Sequence, residues 1–168
     1  FFHRYQVFAD SLFHNADRHN IDLELIVVEW NPPEDEPSSS HRFAWPKSAV
    51  GRTRFIRVNH EIHRSFPKSD QYGFYEYHAK NVGIRRAKGD WVLSTTPDDI
   101  YSFQLAEFLG SGCFEPDSFY RVDRADVRDV VPFDATLEER LNYCRNNTFQ
   151  LHTLGNTIPI DDTQPFIK

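Results

Sequence analysis

With 168 residues, the chain is long enough for one domain with a sizeable core and too short for two ordinary ones. Its 39% hydrophobic and 26% charged residues suit a globular protein, and 15 Phe forecast a Phe-rich core. A net charge of −6 excludes broad, sequence-independent binding to nucleic acid, which requires a basic surface to displace phosphate counterions, but leaves room for a small phosphorylated ligand.

Cys113 and Cys144 lack the number and spacing of a disulfide framework or a structural zinc site. No run approaches the roughly 20 apolar residues of a membrane span, and the opening Phe1-Phe2-His3-Arg4 lacks the plan of a signal peptide.

In chain order, Phe1, Tyr5, Phe8, Leu12 and Ala16 recur at three- and four-residue spacing and predict a helix to about Asn20. Leu23 to Glu29 is a β-branched run with little alternation, as in a strand covered on both faces of a parallel sheet. Trp30-Asn31-Pro32-Pro33 stops it, and the Pro-, Ser- and acid-rich residues to 40 form a loop. Arg54 to Val58 predicts a second strand after a weak helical stretch near Lys47, and residues 59 to 73 read as loop. Tyr75 to Ala87 predicts a helix with Tyr77, Ile84 and Ala87 inward and Arg85 and Arg86 in its last turn, closed by Gly89. Trp91 to Thr95 predicts a strand, Ser102 to Leu109 a helix, Phe119 to Val127 a more polar strand and Thr136 to Asn146 a final helix. Beyond Leu151 the pattern fades, giving one domain over residues 1–150 and a tail over 151–168.

Strands alternating with helices at this spacing predict an α/β fold built of βαβ units with a mostly parallel sheet. Ligands of such sheets sit outside the carboxyl ends of the strands, which here hold Glu29 and the pair Asp98-Asp99. Paired carboxylates at a strand end suit Mn²⁺ or Mg²⁺. The same residues also spell an ordinary helix start, with Thr96 as cap and Pro97 at its first position.

The run Tyr77-His78-Ala79-Lys80-Asn81-Val82-Gly83-Ile84-Arg85-Arg86-Ala87-Lys88-Gly89-Asp90, followed by an apolar strand and the Asp pair, resembles family 2 glycosyltransferases and their GT-A relatives. In that family a basic-Asn-x-Gly helix ending in Ala-x-Gly leads into a strand that ends in a metal-binding acidic motif. Leu25 to Glu29 looks like the family's second strand, whose terminal acid contacts base or ribose. The resemblance covers roughly residues 1 to 127. It implies transfer of a sugar from a nucleoside-diphosphate sugar to a hydroxyl acceptor on a glycan, lipid or protein, assisted by a divalent ion. Glu29, Lys80, Asn81, Thr96 and Asp98 would hold the nucleotide-sugar, and Asp98 with Asp99 the metal.

The sequence departs from the family where Thr96 takes the place of the first acid of the Asp-x-Asp motif. The family's opening strand and acceptor-binding half have no counterpart, so the reading expects a piece cut at both ends, with Asp161 and Asp162 carrying no catalytic assignment. A non-catalytic nucleotide-sugar or partner-binding fragment and a nucleotidyltransferase on a similar fold are the alternatives. His60-Glu61-Ile62-His63 has its histidines three apart rather than four and reads as loop rather than zinc site. The charge alternation from Tyr120 to Asp126 reads as cross-strand ion pairing, with Arg121, Asp123 or Arg124 beside the donor sugar as the lesser alternative.

Overall fold

The opening helix forms where its spacing places it. α1 (Phe2–Arg18) buries Tyr5, Phe8, Phe13 and Ala16 and leaves Arg4, His14 and Asp17 exposed. The computed structural model describes residues 2–128 and 130–160, so Phe1, Asp161 and Asp162 lie outside the described residues. The chain divides into two compact units, Phe1–Asp99 and Ile100–Lys168.

In the first unit β1 (Leu25–Trp30) and β2 (Thr53–Val58) pair in parallel, with Leu25 opposite Thr53 and Trp30 opposite Val58. The connection between them carries α2 (Ser39–Arg42) and a 3-10 turn at Lys47–Ala49. After β2, the stretch read as loop contains a short helix, α3 (His60–Arg64), because the Asn59 side chain caps it by accepting the Ile62 N–H at 3.1 Å.

α4 (Glu76–Ile84) then packs back over β1. Tyr75, just before it, meets the Trp30 ring at the end of β1, with centroids 6.1 Å apart. Gly83 lies over Val28 and Ile26, and the Lys88 N–H reaches the Glu24 carboxylate just ahead of β1. The helix therefore runs antiparallel to the strand, as a βαβ crossover does. Its inward residues differ from those expected: Ala79 is buried and Val82 half-buried, whereas Tyr77 and Ile84 are exposed. Small side chains let the helix approach the strand closely. A Cβ added at Gly83 would meet Val28 Cγ2 at 3.5 Å, an ordinary contact. Gly83→Ala is therefore expected to stabilise the protein by about 0.5–1 kcal/mol through reduced backbone entropy of the unfolded chain. Urea unfolding checks this, and a destabilised alanine variant would mean that the contact is too tight.

The predicted strand Trp91–Thr95 does not form. Among the described residues the parallel sheet has two strands, β1 and β2, and this segment is not a strand of it. Trp91, Val92 and Leu93 remain 43%, 48% and 48% exposed. An apolar run becomes a strand only when a neighbour takes up its alternate N–H and C=O groups.

In the second unit α5 (Phe103–Ser111) is capped by Ser102, which accepts the Leu105 N–H, and is closed by Gly112 at φ +64°. α6 (Leu137–Asn146) starts with a capping box between Thr136 and Glu139. β3 (Arg124–Val127) is shorter than expected and pairs antiparallel with β4 (Thr148–Thr153), which pairs antiparallel with β5 (Asn156–Pro159). The end of β4 and all of β5 lie where the sequence pattern fades. Arg121 pairs with Asp123 just ahead of β3, and Arg124 with Asp126 within it, each with the residue two positions on. The cross-strand partner of Asp126 is His152, whose Nε2 lies 2.8 Å away. The whole is an α/β fold with a small parallel sheet and helices. Among the described residues no helix is long and apolar enough to cross a membrane.

Candidate functional site

β1 ends in Glu29-Trp30, and the two side chains have different tasks. Trp30 is buried with Val58 and Ala79, and Phe66, Tyr75 and Val82 pack around them. Its indole N–H donates to His63 Nδ1 at 2.9 Å, which leaves the proton of the ring on Nε2, 3.1 Å from the Ser69 carbonyl. His63, part of the weak metal-like motif, is thus a core residue only 4% exposed.

Glu29 turns toward the loop that follows. Its Oε1 accepts from the Ser38 hydroxyl, the Ser39 hydroxyl and the Ser39 N–H, so the carboxylate fixes the start of α2. Burial works to raise its pKa, but the Ser39 and Ser38 hydrogen bonds and the charge of Arg57 outweigh it and hold the carboxyl below its ordinary value. Among the described residues no donor reaches Oε2, the oxygen left for a ligand. Arg57 itself is spent on the Pro33 and Glu36 carbonyls, which pins the Pro-rich loop over this edge.

The Thr95 to Asp99 segment forms a turn rather than a helix start. One oxygen of Asp99, Oδ2, accepts the Thr95 hydroxyl at 2.9 Å, the Thr96 N–H at 3.0 Å and the Thr96 hydroxyl at 2.9 Å. Thr96, expected beside ribose or a metal-bound water, therefore directs its hydroxyl inward to Asp99. Asp98 faces outward, and its Oδ2 lies 3.6 Å from the Arg4 guanidinium.

The first turns of α1 are linked to both acidic positions. Arg4 pairs with Asp98, while the next residue, Tyr5, packs on Trp45 with ring centroids 5.8 Å apart. Trp45 donates to the Ser39 carbonyl at 3.1 Å, and Ser39 in turn holds Glu29. Burial, reinforced by the Glu29 charge, pushes the Tyr5 hydroxyl well above its ordinary range. Glu29, at the carboxyl end of β1, and Asp98 thus both interact with the first turns of α1.

Lys80 follows Ala79 on α4 and pairs with Glu76 one turn earlier, Nζ to Oε1 at 2.8 Å. No hydrogen bond or ion pair links it to Glu29, Asp98 or Asp99, and Asn81 beside it is exposed. Sequence reasoning did not single out Arg4: it sits on an amphipathic helix far along the chain from Asp98, and nothing in its local pattern marks it.

The acids expected to hold Mn²⁺ or Mg²⁺ already have partners. Among the described residues no group of three or more His, Cys, Asp or Glu side chains is placed to hold a metal. Asp99 uses Oδ2 to hold its turn, and Asp98 Oδ2 faces the Arg4 guanidinium, so a cation binding at that oxygen competes with Arg4.

Comparison of the chain with protein-family models, with curated proteins and with solved structures finds no match.

Proposed function

We propose that this chain binds a nucleoside-diphosphate sugar at the carboxyl edge of β1 and β2 and passes the sugar to a hydroxyl acceptor. The observation that carries the reading is that consecutive residues of α1, Arg4 and Tyr5, interact with Asp98 and Glu29 respectively, the latter at the carboxyl end of a parallel strand, where α/β sheets bind their ligands. The ordered set Lys80, Asn81, Gly83, Ala87, Gly89 and Asp98 supports it from the sequence side. In this reading Glu29 accepts a hydroxyl or base N–H of the nucleoside through Oε2 while Oε1 keeps the α2 loop in place. Lys80 exchanges Glu76 for a phosphate oxygen, and Asn81 offers an amide from the same helix.

Calorimetric titration of the chain with UDP-sugars and GDP-sugars tests the reading. At least one donor should bind saturably, and Lys80→Ala should weaken it by about tenfold, the effect of losing one charge-assisted contact. Absence of saturable binding by any nucleoside-diphosphate sugar, or unchanged binding in both Lys80→Ala and Glu29→Gln, sinks it.

A further inference from the structure

Three acids, Glu29, Asp98 and Asp99, line the edge assigned to an anionic ligand, so a diphosphate can settle there only beside compensating positive charge. Most cations of this edge are committed. Arg57 donates to the Pro33 and Glu36 carbonyls, Arg42 pairs with Glu36 at 2.5 Å, and Lys80 pairs with Glu76. Arg4 differs. Its side chain is 69% exposed, and its one described partner is Asp98, at 3.6 Å. That distance is an ion pair beyond hydrogen-bond length, so the planar set of N–H donors is unspent while the charge is held in place.

We infer that Arg4 joins Lys80 in binding the diphosphate at this edge, and that its guanidinium supplies the charge for which the resemblance implies a divalent ion. A guanidinium offers two parallel N–H donors to phosphate oxygens and stays charged at any physiological pH. Asp98 then acts as a positioning residue that keeps Arg4 over the strand ends, and Asp99 holds the turn that presents Asp98. The donor set explains the exchange: a divalent ion entering between Asp98 and the diphosphate would have to displace a like charge already there. The inference rests on the nucleotide-sugar reading above and fixes how that ligand is recognised.

Titration calorimetry of the full chain with UDP and with GDP, in EDTA and in Mn²⁺, tests it. Wild type should bind with the same affinity, within about twofold, in both conditions. Arg4→Gln should weaken binding by about tenfold or more in EDTA, and Arg4→Lys should restore part of it, a point charge replacing a fork. Asp98→Asn should weaken binding in EDTA by less than Arg4→Gln does, because Arg4 loses its positioning partner but keeps its charge. Circular dichroism should show the wild-type fold in each variant, since both side chains lie at the surface. Binding that appears only with Mn²⁺ and disappears in Asp98→Asn overturns the inference while sparing the parent reading, and so does Arg4→Gln binding as tightly as wild type. No binding of either nucleotide by wild type in either condition overturns the parent reading itself.

Discussion

Replacing Trp30 by alanine is expected to lower the unfolding free energy by about 3–5 kcal/mol, the cost of emptying a large aromatic site in a packed core. Trp30 sits where β1, β2 and α4 meet, 7% exposed, and its ring is within 6.4 Å, centroid to centroid, of His63, Phe66, Tyr75 and His78. Packing is only part of its role. Trp30→Phe keeps an aromatic ring but deletes the indole N–H, leaving His63 Nδ1 in the core without a donor, which costs about 1–3 kcal/mol on its own. Urea unfolding followed by circular dichroism at 222 nm measures both changes. A cycle with His63→Phe separates the hydrogen bond from the volume: a coupling of about 0.5 kcal/mol or more is expected between the two positions. A Trp30→Phe variant as stable as wild type, or a coupling of zero, would show that the N–H to Nδ1 bond contributes nothing.

Local signals carried much of this fold. The Tyr5, Phe8 and Ala16 stripe gave α1, Ser102 and the Thr136 to Glu139 box gave the starts of α5 and α6, and β-branched runs gave β1 and β2. What failed depended on distant partners. Trp91 to Thr95 has the composition of a strand, but a strand exists only through its neighbour's hydrogen bonds, and composition does not supply one. β4 and β5 went unread because β5 is exposed at all four positions and lacks an apolar alternation. The remaining clue, Gly155 at φ +79° in the turn between them, is a single residue. On α4, Tyr77 and Ile84, expected inward, are exposed, while Ala87, also expected inward, is half-buried. Against β1 the small residues Ala79 and Gly83 face inward, and Tyr77 stays in water.

The candidate site divides along the same line. Glu29 and Asp98 were found because a strand end and an acidic turn are visible in one dimension. Their partners were not. Ser38 and Ser39 read as exposed loop, yet they are the donors that bind Glu29, and Arg4 reaches Asp98 across more than ninety residues of chain only through the tertiary fold. Sequence placed the acids, and tertiary structure decided which of their oxygens are already taken.

Glu29→Ala is expected to lower stability by about 2–3 kcal/mol, because three donors around Ser38 and Ser39 lose a charged acceptor in a partly buried place. The loop from Pro32 to Arg42 would lose its anchor at α2 while Arg57 still held Pro33 and Glu36, so the damage should centre on residues 38 to 42. Glu29→Gln keeps one carbonyl oxygen for these donors and is expected to cost about half as much. The charge leaves a pH signature. Glu29 titrates below its ordinary value in the folded protein, so its stabilisation is fully present above the unfolded pKa of about 4.3 and is lost as pH falls through the lower folded value. Wild type and Glu29→Gln should therefore differ by a constant amount from pH 7 down to about pH 5 and converge below about pH 4. Urea unfolding of both proteins at pH 7, 5, 4 and 3 checks this. A gap that stays constant to pH 3 would mean that the negative charge of Glu29 adds nothing to the hold on Ser38 and Ser39, and a Glu29→Ala variant as stable as wild type would mean that the loop is held elsewhere.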